Sequence, residues 1–519
     1  MTTPPPPAPV EPIDTLATPA DEGWHRLHPA TPLVKGWIAL VAVLLVLASQ
    51  AADLLMPDFE DDAEGHANPL NQAFDYIGWI LLGLGVLLVL IVAYTYCYWR
   101  FARYRLDDEA FHLHTGVIFR QRRSMRLDRL EAVDTVRPLV ARLVGLAELK
   151  LQSAGGSGSG VNLAYIKYAE ATALREQLLA GARRVKGGAD QAVGETQAAQ
   201  ATSAAVAVPG VPLSGGPTAV PAATPSALFG DDEFKDAPPL VTVGADRIMG
   251  SLLLSMTTWW VLVCLIGLVV LGIVLKQPEI IFMVIPGLLG VFQFFWQRIA
   301  GEWSFTVTPT TTGLRLTHGL FTTVTQNVPQ DRIQAIQLSQ TLLWRARGWW
   351  RVTMNVAGYG VDNPNQVRNQ VLAPVVTEQE IQAVLWSVLP QLAGPQAWEL
   401  VTGALNGEGE TPGFITAPPK AKVLDPIVWR RRGFAAIPEA LFIRNGRLWR
   451  TAVIVPHGRI QAIGVRQGPW MRLLGLANVK AYSTPGPVSA RVVHLAVDDA
   501  ARLAFGAGLQ ARLARGDVN

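Results

Sequence analysis

A spaced motif of two glycines and two arginines occurs three times in this chain of 519 residues. Each occurrence reads Gly, twelve residues, Arg, twelve residues, Arg, two residues and Gly. Its members are Gly116, Arg129, Arg142 and Gly145; Gly319, Arg332, Arg345 and Gly348; and Gly446, Arg459, Arg472 and Gly475. Because chance does not repeat one register in this way, the sequence predicts three copies of one small domain.

Each copy is predicted to begin with β-strands and to end with an α-helix. Residues 112–114 and 315–317 alternate as half-buried strands do, and residues 305–307 and 352–356 are further strand candidates. The first glycine of the motif suits a hairpin turn, where a positive φ costs glycine nothing. Helical stretches close the three copies at 169–184, 377–392 and 498–515.

Four apolar segments are each close to the ~20 residues that cross a bilayer as a helix. They run from 33 to about 55, from 77 to about 99, from 249 to 275 and from 280 to about 296. Half of all residues are hydrophobic and only 16% are charged, which is the balance that membrane spans produce. The segments therefore predict four transmembrane helices. No ionisable residue lies in their middles, so they are interpreted as anchors rather than as the path of a coupled transporter.

The positions of Lys and Arg predict the orientation of these helices. Arg100, Arg103 and Arg105 follow the second segment, Arg247 precedes the third and Arg298 follows the fourth. The loop between the first two segments is acidic and contains neither Lys nor Arg. Both termini and the long segments are therefore expected on the cytoplasmic side of a multi-pass membrane protein.

Composition also marks the connecting segments. Residues 1–23 and 185–240 are dominated by small residues and proline, and are expected to be a disordered tail and a flexible linker. The predicted order is then a tail at 1–23, spans within 33–99, domain one at 100–184, the linker at 185–240, spans within 249–297, domain two at 298–392, a connector at 393–426 and domain three at 427–519.

The repeat resembles the bacterial pleckstrin-homology (bPH2) family of YdbS- and YdbT-type membrane proteins. The resemblance rests on the Gly turn, on Pro-x-x-Arg-Ile-Gln-x-Ile at 329–336 and 456–463, and on the Arg-x-x-Gly segment that follows. The first copy departs from it, with Arg126 in place of the Pro and Glu131 in place of the Gln. The resemblance implies a split, curved β-barrel plugged by its last helix. The expected fold is thus four transmembrane α-helices plus three pleckstrin-homology-like β-barrel domains, each closed by a C-terminal α-helix.

Two interpretations of the arginines stay open. The repeated arginines either hold each domain together or bind a phosphate or acidic partner, and their recurrence in all three copies favours the structural role. Basic clusters attract anionic headgroups, and the membrane-surface candidates are Arg120, Arg122, Arg123, Arg430, Arg431 and Arg432. The second cluster is the stronger candidate because the third copy has no preceding span of its own.

No catalytic, cofactor or metal motif is recognisable, so we expect neither an enzyme nor a cofactor. His112 and His114 share a strand face without an evident third ligand, and Cys97 and Cys264 both lie in apolar runs. The residues from Ser153 to Gly160 lack the Lys of a P-loop. The net charge of +3 is too small to indicate a nucleic-acid partner.

The function expected from these features is that of a scaffold or interaction protein. Its domains would bind each other, in a homo-oligomer, or protein partners or membrane lipids, and exposed strand edges suit β-augmentation. The resemblance implies the bacterial inner membrane, a companion of the smaller YdbS type, and a role in envelope stress or antimicrobial-peptide tolerance. The alternative is a transport or lipid-handling protein that uses the four-helix region.

Overall fold

The computed structural model describes most of the chain outside the N-terminal region and the long linker. The described residues are 24–31, 34, 83–116 without 84, 88, 91 and 98, and then 120–153, 160–182, 184–185, 238–277, 284–310, 313–359 and 370–516. The predicted tail, nearly all of the first predicted span and most of the predicted linker lie outside these ranges. The described part divides into two compact units, residues 1–124 and 125–519.

The first unit contains one antiparallel sheet. Its strands are β1 (His25–Arg26), β2 (Arg103–Leu106), β3 (Ala110–Thr115) and β4 (Gln121–Arg126), in that spatial order. On β3, Phe111 and Leu113 are buried while the residues between them are not, as period-2 alternation predicts. A helix, Gly85–Phe101, precedes β2.

The second unit contains two seven-stranded sheets and one three-stranded sheet. The first large sheet consists of β5 (Leu130–Pro138), β6 (Leu146–Ser153), β7 (Val161–Lys167), β8 (Val241–Val243), β9 (Phe305–Thr310), β10 (Gly313–His318) and β11 (Thr322–Pro329). The second consists of β12 (Ile333–Gln340), β13 (Trp350–Val356), β14 (Val371–Val376), β15 (Ile415–Thr416), β16 (Gly433–Ala436), β17 (Ala440–Asn445) and β18 (Arg450–Pro456). The small sheet consists of β19 (Ala462–Arg466), β20 (Leu476–Tyr482) and β21 (Ala490–Ala496).

Each large sheet is built by two successive copies of the repeat. The strand orders are β7-β6-β5-β11-β10-β9-β8 and β14-β13-β12-β18-β17-β16-β15. The first copy thus joins the second through β5 and β11, and the second joins the third through β12 and β18. Three separate barrels are predicted from the sequence, and that expectation is wrong. The edge of one copy, which would otherwise expose unpaired backbone groups, is covered by the next copy instead.

One apolar core accompanies this sharing of strands. Ala132 of the first copy, Ile336 of the second and Ile454 of the third belong to the same cluster of buried side chains. Burial of such aliphatic side chains stabilises the fold by roughly 1.5–3 kcal/mol each. The second copy is therefore held to both of its neighbours by apolar burial as well as by backbone pairing.

The helices of the second unit follow the repeat. They are α1 (Leu139–Leu143), α2 (residues 168–182), α3 (Ala245–Leu253), α4 (Met256–Leu275), α5 (Val284–Glu302), α6 (Glu378–Val388), α7 (Pro395–Asn406), α8 (Pro469–Leu474) and α9 (Val497–Arg515). Short 3-10 turns lie at Leu127–Arg129, Gln330–Arg332, Leu343–Arg347, Pro390–Leu392, Pro419–Val423, Trp429–Arg431 and His457–Arg459. Helices α2, α6 and α9 follow the last strand of each copy, the order that the sequence predicts. Helix α6 begins with a capping box between Thr377 and Glu380.

The prediction of four transmembrane helices is wrong. Within the described residues, α4 alone is long and apolar enough to cross a membrane. The predicted third span begins at 249, but residues 245–253 form a separate helix whose Ile248 and Leu252 are buried in protein. In α5, the polar residues Gln297 and Arg298 and the buried Glu302 shorten the apolar stretch. The helix Gly85–Phe101 falls short of the required length.

Candidate functional site

The first glycine of each motif occupies a hairpin turn. The backbone φ is +105° at Gly116, +111° at Gly319 and +75° at Gly446. A Cβ atom at Gly446 would collide with the carbonyl oxygen of Trp449, and one at Gly319 with that of Thr322. Both the positive φ and the close approach of the opposite backbone require glycine here. These residues shape the fold.

The second half of the motif forms a short helical turn between two strands. It ends in glycines with φ of +72°, +62° and +65°, at Gly145, Gly348 and Gly475 respectively. In the second copy, Arg345 donates to the carbonyl oxygens of Arg447 and Leu448 in the hairpin of the third copy. Arg142 and Arg472 are exposed. In the second copy, this arginine therefore connects the domain to the third copy, with which it pairs through β12 and β18.

The first arginine of each motif lies in the 3-10 turn that precedes β5, β12 or β19. Arg129 is exposed, whereas Arg332 and Arg459 are half-buried. The carbonyl of Arg332 accepts from the backbone N–H of Ala357, which fixes the turn against the end of β13. These positions favour the structural interpretation of the repeat.

Helices α4 and α5 leave the first large sheet and return to it. Strand β8 precedes the two helices, β9 follows them, and the two strands pair antiparallel with Val243 opposite Phe305. The chain therefore leaves the sheet at β8 and re-enters it at the neighbouring strand β9. This placement is decided by strand pairing alone.

The helical pair is attached to one end of the second copy. The backbone N–H of Leu320, in the hairpin after β10, donates to the carbonyl of Ala300 in α5 at 2.8 Å. The indole N–H of Trp344, in the turn before β13, donates to the carbonyl of Ser251 in α3 at 2.9 Å. We call the end formed by this hairpin and this turn the helix-bearing end.

A buried carboxylate holds α5 against the sheet at this end. Glu302 accepts from Arg351 at 2.6 Å and from Arg298 at 3.4 Å, and its side chain is 5% exposed. Burial alone would raise the pKa of Glu302, but the two guanidinium groups outweigh burial and lower it. The charged form is therefore the stable one, and the end of α5 is fixed rigidly to β13.

The corresponding end of the third copy exposes large apolar side chains. In the hairpin after β17, Leu448 is 42% and Trp449 is 52% exposed, while in α8 Trp470 is 73% and Leu473 is 79% exposed. We call these four residues the apolar rim. In the second copy, Phe321 takes the place of Leu448 and lies with its ring centroid 5.6 Å from that of Trp296 in α5. Phe321 is 42% exposed, as Leu448 is, so the two copies differ at this position in the ring contact with α5 and not in exposure.

Polar contacts in the third copy connect the base of the hairpin with β20, the strand that follows α8. Arg432 donates to the side chain of Asn445 at the base of the hairpin, at 3.3 Å, and contacts the ring of His494. The backbone N–H of His494 donates to the side chain of Asn478, close behind α8, at 2.8 Å. The exposed Arg447 and Arg472 flank the rim. An apolar surface bordered by arginines is typical of a contact with lipid or protein.

The second basic cluster is not a surface patch, and the prediction is wrong for Arg431. This side chain is 1% exposed and donates to the carbonyl oxygens of Ala404, Leu405 and Gly407, at 2.8, 2.5 and 2.7 Å. These carbonyls lie at and just beyond the C-terminus of α7, where a helix leaves its last carbonyls without partners. Burial lowers the pKa of Arg431 to about 9, so it stays charged at neutral pH.

The other predicted arginines lie in different surroundings. Arg432 forms an ion pair with Asp425, and its partly buried side chain is occupied by that bridge. Arg430 is exposed and lies 5.5 Å from the ring of Trp429. The first cluster, Arg120, Arg122 and Arg123, is exposed on or beside β4.

A buried carboxyl joins the first and second copies, and sequence reasoning missed it. Asp134 on β5 is 1% exposed and accepts from the hydroxyl of Tyr359, at 3.1 and 3.0 Å to its two oxygens. Burial raises the pKa of Asp134 to about 6, although Tyr359, Arg175 and Lys150 favour its charged form. In the sequence, Asp134 follows Ala132 and Val133 within β5, and an acidic residue also occurs at Glu131, so the pattern alone does not mark Asp134 as buried.

The remaining polar candidates form no site in the part of the chain that the structure describes. There, no group of three or more His, Cys, Asp or Glu is placed to hold a metal ion. His112 lies 3.3 Å from Asp107, and Cys97 and Cys264 are free thiols. Most of the Gly/Ser-rich loop at 154–159 is outside the described residues.

Comparison with known families agrees with the repeat. The family model described as "Bacterial PH domain" (bPH_2) matches residues 38–182, 250–389 and 421–506, which together exceed half of the chain. This chain belongs to the bacterial PH domain family. The three copies are therefore bacterial PH domains, as the motif predicts. PH domains are generally non-catalytic.

A bacterial transmembrane protein is similar to a short part of this chain. The chain is 32% identical to the UPF0699 transmembrane protein YdbT of Bacillus subtilis (strain 168) over 75 residues, which are 14% of this chain and 15% of that protein. The matched part is thus a small fraction of either protein. No solved structure matches. A membrane-associated PH-domain protein is consistent with this relative and with the apolar helix α4.

Proposed function

We propose that this protein is a non-enzymatic scaffold of the bacterial inner membrane, which holds partner molecules on PH domains that share their sheets. Helix α4 anchors the protein, and the large sheets shared between successive domains fix the spacing of the domains. The partner classes that we propose are membrane lipids and further PH domains. The apolar rim of the third PH domain is the observation that carries the proposal.

The apolar rim has the chemistry of an interfacial anchor. Trp470 and Leu473 expose more than 70% of their surface to solvent, and tryptophan is favoured at the level of lipid headgroups because its ring is apolar while its N–H is polar. Burying a large apolar side chain contributes roughly 1.5–3 kcal/mol. Arg447 and Arg472 would add about 1 kcal/mol each at an anionic surface.

Geometry supports the same orientation. The rim lies at the end of the third domain that corresponds to the helix-bearing end of the second domain, from which α4 enters the bilayer in this proposal. The third domain would therefore rest on the membrane through the rim, and not through Arg431, which is buried. Arg100 at the end of the helix Gly85–Phe101, and Arg103 and Arg105 after it, favour a cytoplasmic location for the domains and for both termini.

An environment-sensitive label tests this contact in the full chain. A variant without Cys97 and Cys264 receives one cysteine, by Trp470→Cys, and is labelled with a nitrobenzoxadiazole dye in nanodiscs that contain anionic lipid. We expect blue-shifted emission and quenching by nitroxide-bearing lipid. The matched control is Glu439→Cys, an exposed position in the turn between β16 and β17 at the opposite end of the domain.

The two labels distinguish the possible outcomes. Quenching at 470 but not at 439 supports a domain that rests on the bilayer through its rim. Equal emission and equal quenching at both positions would refute the contact, and the rim would then have to be covered by protein. Disruption of the rim by Leu473→Ser should weaken the quenching at 470, because it removes apolar area without touching the fold.

A further inference from the structure

The two junctions between PH domains use the same register. In the first, Thr135 on β5 lies opposite Thr325 on β11. In the second, Leu338 on β12 lies opposite Ala452 on β18. Counted from the motif, Thr135 and Leu338 each follow the first arginine by six residues, and Thr325 and Ala452 each follow the first glycine by six residues. The junction is therefore a repeated element of the fold with a defined pairing.

The third domain has the first half of such a junction and no second half among the described residues. Its strand β19 corresponds to β5 and β12, and it lies at the edge of the small sheet. Val465 is the residue that follows the first arginine by six positions. It is 50% exposed, whereas Thr135 is 7% and Leu338 is 0% exposed. The next domain buries this position at both junctions within the chain, whereas in the third domain the position is exposed.

The first domain has the complementary half. Strand β4 corresponds to β11 and β18, and it lies at the edge of the sheet of the first unit. Five of its six residues are exposed, the exception being Met125. Arg122 follows the first glycine by six residues, as Thr325 and Ala452 do. In the described sheets, β4 lies at an edge, whereas the fourth strands of the other two domains, β11 and β18, lie inside a sheet.

We propose that β19 of one molecule pairs antiparallel with β4 of a second copy of this chain, with Val465 opposite Arg122. The fourth strand of a PH domain is the element that covers the equivalent of β19 at both junctions within the chain, and β4 is available for that role. This contact extends the row of domains from one molecule to the next, and it names a partner for the scaffold on whose proposed role it rests. Because the two surfaces differ, the contact is head-to-tail and generates a ring or an open row.

The surroundings of β19 fit an incoming strand. A groove of about 750 Å³ runs between residues 460–463 and helix α9. Phe505 and Leu509 of α9 border it and are 81% and 54% exposed. A strand added to β19 would bring its side chains onto this apolar surface. The contact is of the β-augmentation type, in which backbone hydrogen bonds supply affinity and side-chain pockets supply specificity.

Charge predicts an unusual salt response for this contact. Arg122 and Arg123 on β4 would approach Arg466 and Arg512 beside β19, so the pairing gains no attraction between opposite charges. Salt screens exposed like charges, and association should therefore strengthen as the salt concentration rises. The membrane contact through the apolar rim involves attraction to anionic headgroups, and salt weakens that part of it. The two contacts can thus be separated by salt alone.

Cysteine pairs in the full chain test the register. In the background without Cys97 and Cys264, molecules with Val465→Cys are mixed in detergent with molecules that carry Arg122→Cys, and the mixture is oxidised. Residues directly opposite in an antiparallel pair have Cβ atoms about 4.5–5.5 Å apart, near the range that a disulfide spans. We expect a band at twice the mass of the 56.2 kDa chain only in the mixture. The register control is Arg123→Cys, one residue away and on the opposite face of β4.

The outcomes are distinct from those of the membrane test. A disulfide in the Val465/Arg122 mixture, absent from the Val465/Arg123 mixture, supports the proposal. A monomeric chain in light scattering at high salt, or equal yields for the two mixtures, overturns it while leaving the scaffold on the membrane intact. Val465→Lys should abolish the association because lysine blocks an edge strand, and the matched Val423→Lys, at a 73% exposed position away from β19 in sequence, should not.

Discussion

Replacing Arg431 by methionine should destabilise the third PH domain through the loss of one buried guanidinium group. That group donates to three carbonyl oxygens at the end of α7, at 2.5 to 2.8 Å. Hydrogen bonds to charged groups contribute roughly 1.5–3 kcal/mol each, and they are not additive. Methionine keeps the aliphatic stem but leaves buried carbonyls without donors. We therefore expect a loss of about 3 kcal/mol, at the lower end of the roughly 3–5 kcal/mol for breaking a buried charged contact.

The neighbouring Arg430 supplies a matched control. It is exposed, so Arg430→Met should change stability by no more than about 0.5 kcal/mol. Thermal unfolding of the full chain in detergent should show a lower melting temperature for Arg431→Met than for the wild-type chain, because the melting temperature falls with the free energy of unfolding. Hydrogen exchange should also rise in α7. Equal melting temperatures for the two variants would refute the assignment of Arg431 to the helix terminus.

The remaining predictions concern a turn and two buried carboxyl groups. Gly446→Val should cost more than about 1 kcal/mol, because a Cβ would meet the carbonyl of Trp449 at a positive φ; unchanged thermal unfolding would disprove the turn. Asp134→Asn should remove a pH dependence of the free energy of unfolding. The pKa of Asp134 is raised to about 6 in the folded chain. In the wild-type chain, about 3 kcal/mol of stability that is present below pH ~4 is therefore lost as the pH rises through about 6. A wild-type melting curve that does not fall relative to Asp134→Asn over that range would contradict this. Glu302→Gln should loosen α5, seen as faster hydrogen exchange at its C-terminus, because two guanidinium groups lose their carboxylate; unaltered exchange there would show that other contacts suffice.

Several features followed from the sequence because their causes are local. The hairpin glycines are predictable, since a positive φ at Gly319 or Gly446 is a property of one residue and its turn. The order of strands and closing helix follows from hydrophobic periodicity, and α4 follows from a 20-residue stretch in which Thr257 and Thr258 are the polar residues. The repeat itself required only counting, and it led to the PH family.

The arginines show where local reasoning ended. Arg430 and Arg431 are adjacent and chemically identical, yet one is exposed and the other is buried. The difference depends on the C-terminus of α7, whose carbonyls reach Arg431 only in the folded chain. The end of α5 is similar, because Glu302 is tolerated at a buried position only when Arg351 from β13 lies beside it.

The sequence by itself determined that this protein has three PH domains with glycine-shaped hairpins and an apolar helix, because composition, spacing and period act over a few residues at a time. The tertiary structure alone decided how the domains combine. An edge strand has the same alternating pattern whether its neighbour is its own domain, the next domain or water, so the pairings of Thr135 with Thr325 and of Leu338 with Ala452 are invisible in the sequence. Strand pairing between distant segments is selected by the burial and backbone hydrogen bonding of the whole fold, and among the described residues the same selection left β19 and the apolar rim uncovered.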